Sequence, residues 1–186
     1  MIKLGFAMCG SFCTFDKAIE KLKNLKKDYE IFPIMSENAF NIDTRFGKAE
    51  DFQSKIKNIC KKDIINSISS AEPLGPKKLV DILVVAPCTG NTASKVAGGI
   101  TDTSVTMAVK SCLRIGIPVV LCICTNDALG ASFQNIGRLM NVKNIFLTPM
   151  YQDDFKNKPS SLVGKFDKLE ETISQAIEKK QIQPLF

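Results

Sequence analysis

The chain has 186 residues, enough for one domain with a sizeable core and short of a comfortable two. Apolar residues make up 45%, charged residues 24%, and 25 Lys and Arg against 19 acidic residues leave a net charge of +6. That is the composition of a globular protein, and its basic surplus is too modest to indicate nucleic acid. The count that excludes most is zero: with no histidine and no tryptophan, imidazole bases, imidazole metal ligands and tryptophan cofactor walls are all ruled out.

Seven cysteines (Cys9, Cys13, Cys60, Cys88, Cys112, Cys122 and Cys124) are an odd number, none in a C-x-x-C pair. Zinc ribbons and thioredoxin-like motifs are therefore unsupported, and the thiols are expected to be reduced and mostly packed as small hydrophobes. The opening MIKLGFAMCGS carries one Lys and an apolar run too short for a signal peptide. No stretch approaches the roughly 18 apolar residues of a membrane span. The composition thus predicts a cytoplasmic protein with no membrane or nucleic-acid partner.

Ile2 to Met8 reads as a buried strand running into Cys9-Gly10-Ser11. From Thr14 to Lys27, Phe15, Ala18, Ile19, Leu22 and Leu25 recur with the period of an amphipathic helix. Tyr29 to Met35 is the next strand, ending at Ser36-Glu37-Asn38, so the opening has the βαβ pattern of a parallel sheet. Phe52, Ile56 and Ile59 mark a second helix, and a short one is expected around Ile64 to Ile68. Glu72-Pro73-Leu74-Gly75-Pro76 breaks the chain.

Asp81 to Ala86 (DILVVA) is a continuous apolar run, typical of a central parallel strand, that ends at Pro87. The polar loop Cys88-Thr89-Gly90-Asn91-Thr92 then enters a small-residue helix, and another helix spans about Ser104 to Leu113. Pro118 to Cys124 and Asn144 to Thr148 read as the last strands, with Thr125-Asn126-Asp127 between them. Residues 151–160 look like a surface crossing before a tail helix that repeats Phe166, Leu169, Ile173, Ala176 and Ile177. The pattern predicts one α/β domain over 1–186, a doubly wound, mostly parallel sheet of Rossmann-like or flavodoxin-like type. Residues 151–186 are its C-terminal crossing and docking helix.

In such sheets ligands bind beyond the carboxyl ends of the strands. Gly10 lets a ligand approach the backbone and Ser11 offers a hydroxyl, which suits a phosphate. Equally, Gly-Ser makes a tight turn with Thr14 capping the helix. The Thr89–Thr92 loop suits a polyhydroxylated or phosphorylated ligand, with a capped helix start as the plainer alternative. Thr101-Asp102-Thr103 adds a polar turn in which Asp102 serves a ligand or an N-cap. Arg45, one of three arginines, suits bidentate capture of a carboxylate or else pairs with Asp43 at the surface. Lys55, Lys57, Lys61 and Lys62 read as a solvated helix face. Cys9 and Cys88 lie at strand ends, but with no histidine they have no base to activate them.

The stretch Ala86-Pro87-Cys88-Thr89-Gly90-Asn91-Thr92, with Ser94-Lys95-Val96-Ala97 and Thr101-Asp102, resembles the homo-oligomeric flavin-containing cysteine decarboxylase superfamily. A more extended set resembles the dipicolinate synthase B-subunit family: Thr44–Gly47, Ala71–Lys77, Thr125–Gly130, Arg138–Met140, Lys143–Phe146 and Gln152–Asp154. The resemblance implies a flavoprotein fold, and FMN with its phosphate at Gly10, Ser11 and Ser36 and further contacts from Thr89, Asn91, Thr92, Thr101 and Asp102. It implies a homo-oligomer, trimer-based in the superfamily's manner, and a small dicarboxylate substrate met by Arg45 and Asn91. The implied partner is an A subunit, resembling a nicotinamide-dependent dehydrogenase, that brings NAD(P). The implied setting is pyridine-2,6-dicarboxylate synthesis in the mother cell during sporulation.

Departures narrow the chemistry. The decarboxylases' histidine is missing, their Met- and Trp-containing clamp has no counterpart near Thr125–Leu129, and the prenyltransferases' basic-acidic pair is replaced by Thr125-Asn126. Oxidative decarboxylation and prenyl transfer are therefore not expected. Two readings remain: an oxidoreductase subunit, or a non-catalytic module that binds flavin or substrate for the dehydrogenase subunit.

Overall fold

A computed structural model of the chain describes residues 1–186. Strands β1 (Ile2–Met8), β2 (Tyr29–Met35), β3 (Ile82–Cys88), β4 (Val119–Thr125) and β5 (Ile145–Leu147) pair in parallel in the order β2-β1-β3-β4-β5. That is the flavodoxin-like arrangement of a doubly wound sheet, as the apolar runs predicted. Alternation along the central strands serves two cores. Ile82, Val84 and Ala86 face one layer, while Leu83, Val85 and Cys88 face the other.

Helices α1 (Phe15–Leu25), α3 (Ala49–Cys60) and α8 (Leu169–Ile177) cover the first face with residues such as Phe15, Leu22, Phe52, Ile56, Leu169 and Ile173. Helices α4 (Ile68–Ala71), α5 (Gly90–Ala97), α6 (Ser104–Arg114) and α7 (Phe133–Met140) cover the second. The short α2 (Glu37–Asn41) follows β2. The tail helix therefore docks on its own sheet, with Leu169, Thr172, Ile173 and Ala176 buried. No helix is long and apolar enough to cross a membrane.

Four local expectations change. β3 runs through Pro87 to Cys88, because its pairing with β4 becomes irregular between Val85 and Cys88, where the missing proline N–H costs no ladder bond. The short helix expected around Ile64 to Ile68 begins only at Ile68. Ile65 pairs with the free edge of β2, its N–H reaching the Pro33 carbonyl at 2.9 Å and its carbonyl accepting the Met35 N–H at 3.0 Å. The Ser67–Ser70 capping box then delays the helix to Ile68. Helices α2 and α7 have no counterpart among the predicted elements. Finally, the surface crossing is the loop of an antiparallel hairpin, β6 (Met150–Tyr151) with β7 (Leu162–Gly164).

That hairpin has a definite place. Val119–Leu121 of β4 pair with β5, whereas Cys124 and Thr125 pair antiparallel with β7. Two different strands thus share the outer edge of β4, and the 152–161 loop comes to its carboxyl end. The side of β5 is closed by Gln181, whose carboxamide accepts the Leu147 N–H at 2.8 Å and donates to the Leu147 carbonyl at 2.7 Å.

Candidate functional site

Two clefts open at the carboxyl edge of the sheet, of about 590 Å³ and 270 Å³, and both are lined by Gly10, Phe12, Thr89 and Asn91. The smaller also includes Ser36, Glu37, Thr92, Lys95 and Thr103. Most of its polar groups are engaged by the fold. Ser36 caps α2, its Oγ accepting the Ala39 N–H at 3.3 Å. Thr89 caps α5, accepting the Thr92 N–H at 3.2 Å and donating to Thr92 Oγ1 at 3.1 Å. Thr92 Oγ1 in turn donates to Cys9 Sγ at 3.3 Å. Thr103, not Asp102, caps α6 in a reciprocal pair with Thr106. The carboxylate of Glu37 accepts the Ser104 N–H at 3.3 Å.

The larger cleft differs. Arg45, Ser11, Lys17, Asn126, Tyr151 and Lys158 line it together with the shared residues. The Gly10 N–H donates to no protein acceptor. A Cβ on Gly10 would stand 3.4 Å from the Phe12 ring and 3.8 Å from Asn38. Those contacts are tolerable, so interior packing does not require the glycine, and its bareness leaves open floor to both clefts. The exposed Asn91 carboxamide makes no hydrogen bond within the chain, and neither Lys17 nor Arg45 has a carboxylate partner.

Gly90 is bare for a different reason. A Cβ there would fall 2.6 Å from Thr125 Oγ1 and 2.8 Å from Ser132 Oγ. Those hydroxyls both donate to Asp127, at 2.5 Å from Thr125 and 2.9 Å from Ser132. Together they hold the Asp127 carboxyl below the usual carboxylate range, the Thr125 bond contributing most.

The structure brings Gly10, Ser11, Arg45, Thr89 and Asn91 to one cleft and Ser36 and Thr92 to its neighbour. It leaves Thr101 outside both, in a groove between α5 and α6 with Val96, Ile100 and Val109. Asp102 lines neither cleft. Lys95 lies 2.9 Å from both its oxygens, and that hydrogen bonding holds the carboxyl low. Arg45 does not pair with Asp43, which instead accepts the Ala49 N–H at 2.8 Å ahead of α3. Its guanidinium stacks 4.9 Å from the Phe46 ring centroid.

Burial pushes the Cys9 thiol up to about 11 and Cys88 well above its ordinary value, so neither strand-end cysteine is a thiolate at neutral pH. Cys122 and Cys124 share a core face, and Cys13 is the one exposed cysteine. In the lysine cluster, Lys62 pairs with Glu30 at 2.8 Å over the Phe32 ring and Lys57 pairs with Asp63.

Sequence reasoning missed Lys17, Tyr151, Asp153 and Lys158. Lys17 lies between the apolar positions of the first helix, and the other three lie in the supposed crossing. The only signal there was the Gln152-Asp153-Asp154 stretch that carried part of the resemblance.

A doubly wound sheet with a ligand-sized cleft at its carboxyl edge defines the class, and the chain belongs to the flavoprotein family, whose model (Flavoprotein) matches residues 1–179. It is 43% identical over 184 residues to the dipicolinate synthase B subunit of Bacillus subtilis (strain 168), covering 98% of this chain and 92% of that protein. It superposes on the crystal structure of the dipicolinate synthase B subunit from Bacillus halodurans C with a TM-score of 0.90 and 41% identity, over 99% of this chain and 95% of that one. DmrB of Burkholderia xenovorans in complex with FMN, a cubic protein cage for redox transfer, shares the fold with a TM-score of 0.71 at 19% identity, covering 95% and 96%.

Proposed function

We propose that the chain is the B-type component of a dipicolinate synthase. It acts with a dehydrogenase-like A subunit that brings NAD(P), forming pyridine-2,6-dicarboxylate from a dihydrodipicolinate-pathway intermediate in the mother cell of a sporulating bacterium. One observation carries this reading: the larger cleft, where three cations (Lys17, Arg45 and Lys158) meet a single carboxylate, Asp153, leaving a surplus of two positive charges. A cleft so charged suits a dianion. Near full-length kinship with the Bacillus proteins supports the choice of reaction.

FMN fits the residues present. The unpartnered Gly10 N–H, the Ser11 hydroxyl and the free Asn91 carboxamide offer polar contacts where the two clefts meet, and the Phe12 ring offers an apolar one. Gly10, Ser11 and Asn91 would hold the cofactor, whereas the Ser36 and Thr92 hydroxyls are already engaged. When bound, FMN supplies a two-electron acceptor. Arg45 binds a substrate carboxylate, Asn91 orients the ring, and protons released on aromatisation pass to water in the open cleft, since no histidine is present. We also expect a homo-oligomer, on kinship alone, because the tail helix covers its own sheet.

The alternative, a non-catalytic module serving the A subunit, is favoured because the chain has no histidine and the one carboxylate of the cleft, Asp153, is engaged by Ser161 and Lys158. Dipicolinate formation by the A subunit alone at the rate of the pair would establish it. The absorption spectrum of the purified chain tests the flavin. A folded Ser11→Asp variant should lose the flavin bands by charge repulsion with the phosphate, and undiminished flavin content would overturn the placement.

A further inference from the structure

We infer that Lys158, on the loop between β6 and β7, is the second carboxylate-binding cation of the larger cleft, with Asp153 as its positioning residue. Arg45 takes one carboxylate of a planar dicarboxylate and Lys158 the other. The inference rests on the reading above, that the ligand is an aromatic dicarboxylate.

The loop is built rather than slack. Gln152 Nε2 donates to the Pro159 carbonyl at 2.8 Å, and Asp154 accepts from both the backbone and the side chain of Asn157, at 3.2 and 3.1 Å. The Lys158 N–H reaches the Asp154 carbonyl at 2.8 Å, and the Leu129 N–H ties the loop to the body through the Ser160 carbonyl at 2.9 Å. Below it, β7 pairs with Cys124 and Thr125, the last residues of β4, so the loop is anchored at the ligand edge of the sheet.

Within that frame Asp153 faces two ways. Its Oδ1 accepts the Ser161 hydroxyl at 3.0 Å, and its Oδ2 lies 3.5 Å from Lys158 Nζ. A charge-assisted hydrogen bond is about 2.7–2.9 Å long, so this pair is held near without being closed. The Lys158 side chain is about half exposed at 48%, and its ammonium keeps donors for a ligand. Asp153 thus locates the lysine without saturating it. Arg45 is placed independently, by the loop between α2 and α3 and its stacking on Phe46. Two cations from opposite ends of the chain converge on one cleft, as two carboxylates on one ring require.

Calorimetric titration of the full chain, with FMN and without it, tests this using pyridine-2,6-dicarboxylate and pyridine-2-carboxylate as probes. Lys158→Met should weaken the dicarboxylate by about tenfold and leave the monocarboxylate within about twofold. Lys158→Arg should restore most of the dicarboxylate affinity, while Arg45→Ala should weaken both probes. Asp153→Asn should lower the preference for dicarboxylate over monocarboxylate without abolishing binding of either. Equal loss of both probes in Lys158→Met, or no loss, overturns the inference while leaving the dicarboxylate reading intact. Loss of FMN with dicarboxylate affinity unchanged would assign the lysine to the flavin phosphate and overturn it too. A wild-type chain that binds neither probe sinks both readings.

Discussion

The two clefts at the carboxyl edge are lined by similar residues and do different work. In the smaller, hydroxyls of Ser36, Thr89 and Thr103 close the first turns of α2, α5 and α6. Gly10 and Asn91, which line both, keep a free N–H and a free carboxamide, and in the larger cleft the side chains of Lys17 and Arg45 have no carboxylate partner. Serine and threonine at strand ends look alike in a sequence whichever they do. What separates a cap from a ligand contact is whether a backbone N–H already lies within reach of the oxygen.

Three measurements put that contrast at risk. The largest effect belongs to Arg45. A carboxylate pair in a partly desolvated site is typically worth about 1.5–3 kcal/mol, so Arg45→Ala should lower substrate use roughly 10- to 150-fold at little cost in stability. Arg45→Lys should recover only part, because the planar fork is gone. Under the proposed function, steady-state dipicolinate formation by the chain combined with an A subunit reads this, and wild-type kinetics in Arg45→Ala would make the residue ordinary surface.

Thr103 stands for the other cleft. Thr103→Ala removes the cap of α6 and should cost about 1 kcal/mol of stability, seen as a lower urea midpoint with an unchanged slope. An unchanged midpoint would mean that the hydroxyl is free for a ligand after all.

The smallest effect is that of Asp127. Its folded carboxyl titrates below its unfolded value of about 4, so its contribution is complete above that pH and fades as pH falls through the lower folded value. The group is exposed, which limits the gain to less than about 1 kcal/mol. Wild type should exceed Asp127→Asn in stability at pH 7, with the gap closing as pH falls below about 4. A gap that persists in acid would count against the carboxylate.

Much of the architecture was legible because the central strands are unbroken apolar runs, which only a sheet covered on both faces requires. Half of the candidate cleft was legible too, since Gly10, Ser11 and Asn91 lie where such strands end and Arg45 is one of only three arginines. Lys17, Tyr151 and Lys158 were not. β6 has two residues and β7 three, too few to show alternation, so nothing in the sequence says that 152–161 returns to β4. Ile64–Ile68 misled for a related reason: a single bridge to an edge strand has no period. Thr101 and Thr89 are equally polar, and only the path of the chain separates them.

The closure of the sheet's margins governs how the protein meets its own copies. An open strand edge is a template for intermolecular β-pairing. Here β2 carries Pro33 and is met by Ile65, and β5 is occupied by the Gln181 carboxamide. The two-residue β6 has its Met150 N–H bonded to the Leu185 carbonyl at 2.9 Å. No long row of free backbone groups remains for a neighbour to continue. Edge-to-edge stacking of copies, the usual route to fibrous aggregation, is thereby disfavoured. Any orderly assembly has to be made from helix faces and loops.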